Sequence, residues 1–570
     1  MLRLNRKSIF VRKNKYESIE LSMEKGLLKT IETTVREQWE SPALTDFHGP
    51  TMTYKDAARR IVKLHLLFEE AGIKKGDKIA LCAKNSSHWG VAFIATISYG
   101  AIAVPILNEF KPENIHHLVN HSEAKLLFVG DDVWQGLDSD AMKDIIGFIR
   151  MEDYSLRESR SKKLTKAREN LNRIFGERYP ERFEPADFTL RDEDEAELAI
   201  INYTSGTTAG PKGVMIPMRA LKGNLDFCIE HYGAKAGRRI VAMLPLAHMY
   251  GLSIEYIFAF AVGTRVYFLT KSPSPKIIAE AMAEVKPFLI ITVPLVIEKI
   301  IQKKVLPALD RPILNILKHM PIVNDAIYKK VYKQVRGALG GEFVELIVGG
   351  ASLNKEVETF LRRIGFEYTV GYGMTEFAPL LCYAHWDEYV PGSCGKAVTG
   401  MEMKIDSPSP KDTVGEILAR GRNQFLGYYK NDTATRQFID PEGWCHTGDL
   451  GLMDEAGNIY IKGRSKNLIL GASGQNIYPE EIEDKILSLS CVSEVLVVEK
   501  ESKITALVFP DYEELRNEGI AESQTAQTVT DRVMSINAQL ETFCQIRAVK
   551  IMNEEFEKTP KRSIKRYMYQ

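Results

Sequence analysis

The 570-residue chain reads as a large α/β N-terminal domain with buried sheets and flanking helices, followed by a small mobile α+β domain. Three observations predict this. The length exceeds what one hydrophobic core ordinarily serves. From about Tyr54 onward, short apolar runs alternate with segments of helical periodicity, the pattern of a largely parallel, buried sheet. After Asn467 the pattern changes to a helix, a hairpin, a second helix and a closing strand. The boundaries expected are a basic tail over 1–24, a large domain over 25–465 and a small domain over 466–570.

Bulk properties fit a soluble enzyme. Apolar residues make up 45% and charged residues 26%, ordinary values for a globular protein. The formal net charge is zero, so no global basic field argues for nucleic acid. The seven cysteines are far apart without a C-x-x-C pair, as expected of reduced thiols in a cytoplasmic enzyme. Arg3, Arg6, Lys7, Arg12, Lys13 and Lys15 make the N-terminus a basic tail with weak attraction to anionic lipid as its minority reading. No apolar core follows them, so it is not a secretory signal.

Thr53-Tyr54-Lys55-Asp56 resembles a capping box opening a helix on Ala57, Ile61, Leu64 and Phe68 that stops at Gly72. Ile79–Ala83, Ala101–Ile106 and Leu126–Val129 are expected strands. The uncharged run Trp89–Leu107 is long enough to suggest a membrane span, but Gly100 and Pro105 divide it into a buried helix, a turn and a strand. His117 and His121 share a helix face, yet Leu118 stands where H-E-x-x-H needs glutamate, so they read as structural histidines. The charged stretch between Arg150 and Arg182 reads as a solvated helical excursion.

The centre of the chain is INYTSGTTAGPKGVM, Ile201–Met215. Apolar Ile200, Ile201 and Tyr203 end a strand, and a hydroxyl- and glycine-rich run then leads to Lys212. Hydroxyls of Thr204, Ser205, Thr207 and Thr208, backbone N–H groups near Gly206, and the Lys212 ammonium suit a phosphate. A flexible linker rarely carries so dense a hydroxyl run between apolar segments. The hydrolase P-loop fails because Pro211 precedes Lys212 and Gly213 follows it. Ile347–Asn354 and Thr369–Glu376 each read as a strand entering a glycine turn. Backbone exposed at Gly349, Gly350, Gly371 and Gly373 can lie against a flat ring, with Tyr372 available to stack.

The loop from Thr204 to Gly213 resembles the TSGTTGxPKG signature of the adenylate-forming superfamily, which includes acyl-CoA synthetases, luciferases and the adenylation domains of peptide synthetases; Ala209 replaces the commoner glycine. The resemblance runs from about Tyr54 to the end with the motifs in the expected order. It implies an adenine site at Gly350, Ala351, Tyr372 and Gly373, an α-phosphate contact at Thr375 and a magnesium ligand at Glu376. Asp449 in GWCHTGDLG matches the acceptor of the ribose diol, Arg464 the arginine near ribose and phosphates, and Lys466 the hinge. Met243–Gly251 resembles the segment that carries an aromatic or histidine side chain at the acyl pocket, here His248, with Gly349 beside it. Val293–Ile300, VPLVIEKI, resembles long-chain acyl-CoA synthetases, which makes a fatty acid the expected substrate.

The chemistry implied is attack of a carboxylate on the α-phosphate of MgATP, then transfer of the acyl group from the adenylate to coenzyme A. The lid turns about Lys466 between the steps, and pantetheine passes along Ser473-Gly474-Gln475. A different carboxylate or a carrier-protein thiol would keep the same first step. One departure stands out. The family pattern T-P-x-x-K-[IV]-x-R reads here from Thr559 to Arg566 with Ser563 in place of the catalytic lysine. If that segment is extended, Lys561 and Lys565 share a face with Ser563, and Lys565 is the favoured substitute. A non-catalytic nucleotide-binding homologue is the rival.

Overall fold

The computed structural model describes residues 26–204, 211–233, 235–271, 274–309, 321–470, 475–500, 503–559 and 564–570. Helix Tyr54–Ala71 begins as its residues dictate. Asp56 N–H donates to the Thr53 hydroxyl at 3.1 Å, and Thr53 N–H donates to the Asp56 carboxylate at 3.0 Å. Gly72, at φ +81, ends it, a left-handed position that favours glycine. Helix Ser87–Tyr99 is capped by Ser86, stops at Gly100 and is followed by strand Ile102–Pro105. The uncharged run is therefore a helix buried on nearly every face. No helix among the described residues is long and apolar enough to cross a membrane.

The largest sheet has seven strands, in the order Leu156–Ser159, Gly147–Arg150, Ala124–Val129, Lys78–Cys82, Ile102–Pro105, Leu198–Thr204 and Lys212–Pro217. Its centre is parallel and both edges are antiparallel. Ile79, Leu81, Val104 and Leu127 are fully buried in it, so both faces are covered. A second sheet combines Pro42–Asp46 and Thr51–Thr53 with Arg239–Ala242 and Arg265–Phe268. Three parallel strands, Leu289–Thr292, Glu345–Val348 and Tyr368–Val370, form a third. A four-stranded antiparallel sheet, Met401–Asp406 to Ile459–Arg464, closes the large part of the molecule.

The apolar run Ile290–Val296 divides between strand Leu289–Thr292 and helix Pro294–Ile300. Pro294 sits at the first helical position, where its missing N–H costs nothing. The charged excursion is less solvated than its composition suggests. Helix Lys162–Arg178 buries Leu164, Ala167, Leu171 and Phe175, a stripe at helical spacing, and Arg59 and Lys63 of helix Tyr54–Ala71 lie over the Phe175 ring. The histidine pair is structural: His121 shares a 2.7 Å hydrogen bond with the Tyr203 hydroxyl.

The small C-terminal domain has its own core. Strands Val492–Lys500 and Lys503–Pro510 form a hairpin, and Ala548–Ile551 joins it in parallel. Ile482, Ile486, Val495, Val529 and Val533 pack on one face of this sheet, and Phe556 with Leu496, Val498 and Leu507 on the other. Helix Pro479–Leu487 starts with proline followed by Glu480 and Glu481, where acidic side chains meet the positive end of the helix dipole.

Candidate active site

The phosphate-loop strand and its neighbour meet at Thr204 and Lys212, which are register partners. Ser205, Gly206, Thr207 and Thr208 lie outside the described residues. A strap, Phe425–Tyr429, crosses this corner: Leu426 N–H donates to Met215 O, Tyr429 N–H to Gly213 O, and Phe425 N–H to Glu376 O. The strap places the Tyr428 ring between two predicted site residues. Lys212 Nζ is 4.9 Å from the ring centroid, within cation–π range, and the Tyr428 hydroxyl donates to the Glu376 carboxylate at 2.8 Å. Glu376 is buried and Thr375 half-buried. Sequence reading missed Tyr428, which no motif marks because its partners come from two distant segments.

Asp449 and Arg464 are paired across adjacent strands, and Arg464 Nε lies 2.9 Å from the Asp449 carboxylate. The Tyr372 hydroxyl donates to the other carboxylate oxygen at 2.6 Å. Burial raises the Asp449 pKa above the ordinary aspartate value, against the opposing pull of Arg464 and Tyr372. Tyr372, expected to stack on a flat ring, is thus buried and held by its hydroxyl. The glycines also divide differently from expectation. A Cβ on Gly349 would meet the Tyr250 ring at 2.9 Å, and one on Gly373 would meet Pro379 O at 2.3 Å. Both glycines permit close protein packing, while Gly350, at φ +88, and Ala351 are exposed. His248 is half-buried in the turn after Pro245, its N–H donating to Pro245 O.

The small domain approaches the large one near Lys466. Lys466 lies in a short 3-10 turn, Ser465–Asn467. Partial burial, then the neighbouring Arg464, holds its ammonium below the ordinary lysine range, while Asp449 and Glu480 pull the other way. Asn467 donates to Glu480 at 2.6 Å, Lys462 pairs with Glu481 at 3.0 Å, and the Ser352 hydroxyl lies 3.4 Å from Asp484. Lys565 Nζ is 3.5 Å from Glu557 of the small domain, and Lys558 and Ile564 form an antiparallel bridge. Lys561, Arg562, Ser563 and Gly474 lie outside the described residues.

The donors near Glu376 suit a magnesium ion, because carboxylate and hydroxyl oxygens are its preferred ligands. Glu376 and the Thr375 hydroxyl would hold it. Among the described residues, the cluster of metal-ligating side chains that stands out, His48, Glu280 and Glu284, is exposed and includes none of the predicted site residues.

The large domain thus carries a buried carboxylate, Asp449, braced by tyrosine and arginine, and a lysine and a second carboxylate, Lys212 and Glu376, joined through one aromatic ring. Family comparison agrees. An AMP-binding enzyme model matches residues 31–429 and an AMP-binding enzyme C-terminal domain model matches 466–569; the chain belongs to the AMP-binding enzyme family of adenylate-forming acid–CoA ligases. It is similar to a long-chain-fatty-acid–CoA ligase of Mycobacterium bovis, 27% identical over 480 residues that cover 78% of this chain and 75% of the relative. A chloroplastic long-chain-fatty-acid–[acyl-carrier-protein] ligase of Arabidopsis thaliana is 26% identical, over 83% of this chain and 74% of its own. In fold the chain resembles ATP-bound MatB from Rhodopseudomonas palustris, with a TM-score of 0.73, 22% identity and coverage of 95% and 98%.

Proposed function

We propose that this protein activates a fatty acid with MgATP, forming an acyl adenylate and pyrophosphate, and then transfers the acyl group to coenzyme A with release of AMP. The reading is carried by two clusters, Lys212 and Glu376 joined through Tyr428, and Asp449 held by Tyr372 and Arg464. Asp449 and Arg464 would hold the ribose, Lys212 with Thr204–Thr208 the phosphates, and Glu376 with Thr375 the magnesium ion. Charge neutralisation at the α-phosphate is the main demand of such a step, and bound magnesium supplies part of it. The carboxylate oxygen bonds to phosphorus as the bond to pyrophosphate breaks. In the second step the thiol sulfur bonds to the acyl carbon, AMP leaves, and the thiol proton passes to solvent.

A fatty acid is favoured by the resemblance of Val293–Ile300 to long-chain acyl-CoA synthetases and by the long-chain-fatty-acid ligases among the relatives. Val296, Ile297 and Ile300 face Met243, Met282 and Ile290 around an apolar cavity of about 10 Å³. That is room for about one water, so an acyl tail entering there must displace side chains. ATP–pyrophosphate exchange across a series of saturated acids tests the reading. Each added methylene should strengthen binding by about 0.8 kcal/mol until the pocket is filled, whereas a preference for acetate, benzoate or an amino acid contradicts it. The carrier-protein thiol is a second reading, supported by the carrier-protein ligase among the relatives; free coenzyme A and acylatable carrier protein offered in competition decide between them.

For the lysine missing at Ser563 we propose Lys565, with Lys561 as the alternative. The pair with Glu557 has a carboxylate 62% exposed, and surface pairs of this kind are easily given up. Lys565→Ala should lose adenylate formation yet retain thioester formation from supplied acyl adenylate. Full adenylation in both Lys565→Ala and Lys561→Ala would remove both from the role.

A further inference from the structure

The segment from Met243 to His248 leaves its sheet after strand Arg239–Ala242 and runs on, partly buried, without a strand partner. Buried backbone groups need hydrogen bonds, and Pro245 has no N–H to offer. Three side chains supply the missing partners. Asn85 Nδ2 donates to Leu244 O at 2.7 Å, and Leu246 N–H donates back to Asn85 Oδ1 at 2.9 Å. Asn202 Nδ2 donates to Ala247 O at 2.8 Å. Leu244 N–H donates to the Glu255 carboxyl at 3.0 Å.

We propose that Asn85, Asn202 and Glu255 are positioning residues that clamp 244–247 and thereby hold His248 and Met243 in register with the reacting carboxylate. The inference rests on the reading of this site as a fatty-acid ligase. Each clamp comes from a different element. Asn85 lies between strand Lys78–Cys82 and helix Ser87–Tyr99. Asn202 is on the strand that ends at Thr204, so it ties the segment directly to the phosphate loop. Glu255 lies in the π-helical stretch Gly251–Phe258, a wide turn type that often accompanies functional sites. One end of the clamped segment, Met243, lines the apolar cavity, and the other carries His248.

Two features separate this clamp from ordinary core packing. Asn202 and Glu255 are both 0% exposed, yet Asn202 Oδ1 and Glu255 Oε1 have no hydrogen-bond partner. Such buried unsatisfied oxygens are rare and costly; an apolar side chain would avoid the cost but lose the grip on the backbone. Burial also pushes the Glu255 carboxyl well above the glutamate range, against the backbone N–H groups of Leu244 and Met243.

The test uses Asn85→Ala, Glu255→Ala and Glu255→Gln in the full chain. Michaelis constants for the acid and for ATP are measured beside amide hydrogen exchange at Leu244 and Leu246. The two alanine variants should raise the acid KM about tenfold, the scale of one lost hydrogen bond, with the ATP KM within about twofold, and should speed exchange of the released amide. Glu255→Gln should restore both, since a neutral amide oxygen accepts the same N–H. Equal rises in both Michaelis constants, or no rise in either, would overturn the positioning role. Unchanged exchange would overturn the clamp itself, whatever the activity. A wild-type protein that activates no carboxylate would overturn the functional reading and the substrate-positioning role together, leaving exchange to decide the clamp. Should Glu255→Ala fail to fold, Asn85→Ala and Asn85→Asp carry the same measurements.

Discussion

Asp449 combines burial, which raises its pKa, with two partners that favour its charged form, the Tyr372 hydroxyl and Arg464. Removing the carboxylate in Asp449→Ala should weaken ATP use by about 1.5–3 kcal/mol, the usual worth of a hydrogen bond to a charged group; unchanged ATP kinetics in a folded variant would exclude it as the ribose ligand. Tyr372→Phe removes a donor to the ionised form, so the Asp449 pKa must rise further. The acid limb of the pH profile for ATP use should therefore move to higher pH, and a shift to lower pH would contradict the assignment. At this scale the motifs single out residues but do not say what those residues touch. Asp449, Arg464, Glu376 and Lys212 were legible from motifs. Tyr428 was not, because the bond from its hydroxyl to Glu376 spans 52 residues and depends on a strap that no local pattern encodes.

Among the elements, the glycine turns were legible as turns, but their purpose emerges only from three-dimensional packing. Gly373 lies where a Cβ would meet Pro379 O at 2.3 Å, and backbone cannot swing aside as a side chain can. Gly373→Ala should therefore destabilise the protein by about 1–3 kcal/mol, the range for overpacking, with Thr375 and Glu376 displaced; an unchanged melting temperature would show that the turn adapts. Val293–Ile300 teaches a similar lesson. A short apolar run satisfies both strand and helix patterns, and Pro294 at the first helical position decides in favour of a helix after Thr292. The capping box at Thr53 and the stops at Gly72 and Gly100 were legible because they act within a few residues of chain. The bridge between Lys558 and Ile564 has no such local signal.

For the molecule as a whole, two bodies of very different size meet through a charged seam, and the seam carries a pH dependence. Asp484 of the lid, beside Ser352, is raised from 3.8 to about 6 by burial first and then by Glu298 of the large domain. Burial raises the Glu298 pKa as well, against the N–H of Asn354. On the lid side Glu480 and Glu481 add negative charge, and Lys462 pairs with Glu481. An acid whose pKa is raised by docking favours the docked state when protonated. Docking should thus be strongest below about pH 3.8 and weaken as pH rises through about 6, while Asp484→Asn should flatten this dependence; distance measurements between labels on lid and large domain read it directly. The proposed reaction runs from a fatty acid through an acyl adenylate to acyl-CoA. It is tested by incubating the protein with a labelled long-chain fatty acid, MgATP and coenzyme A and separating the products. Equal amounts of acyl-CoA, AMP and pyrophosphate are predicted, whereas ADP and phosphate, or intact ATP beside free acid, would contradict the account.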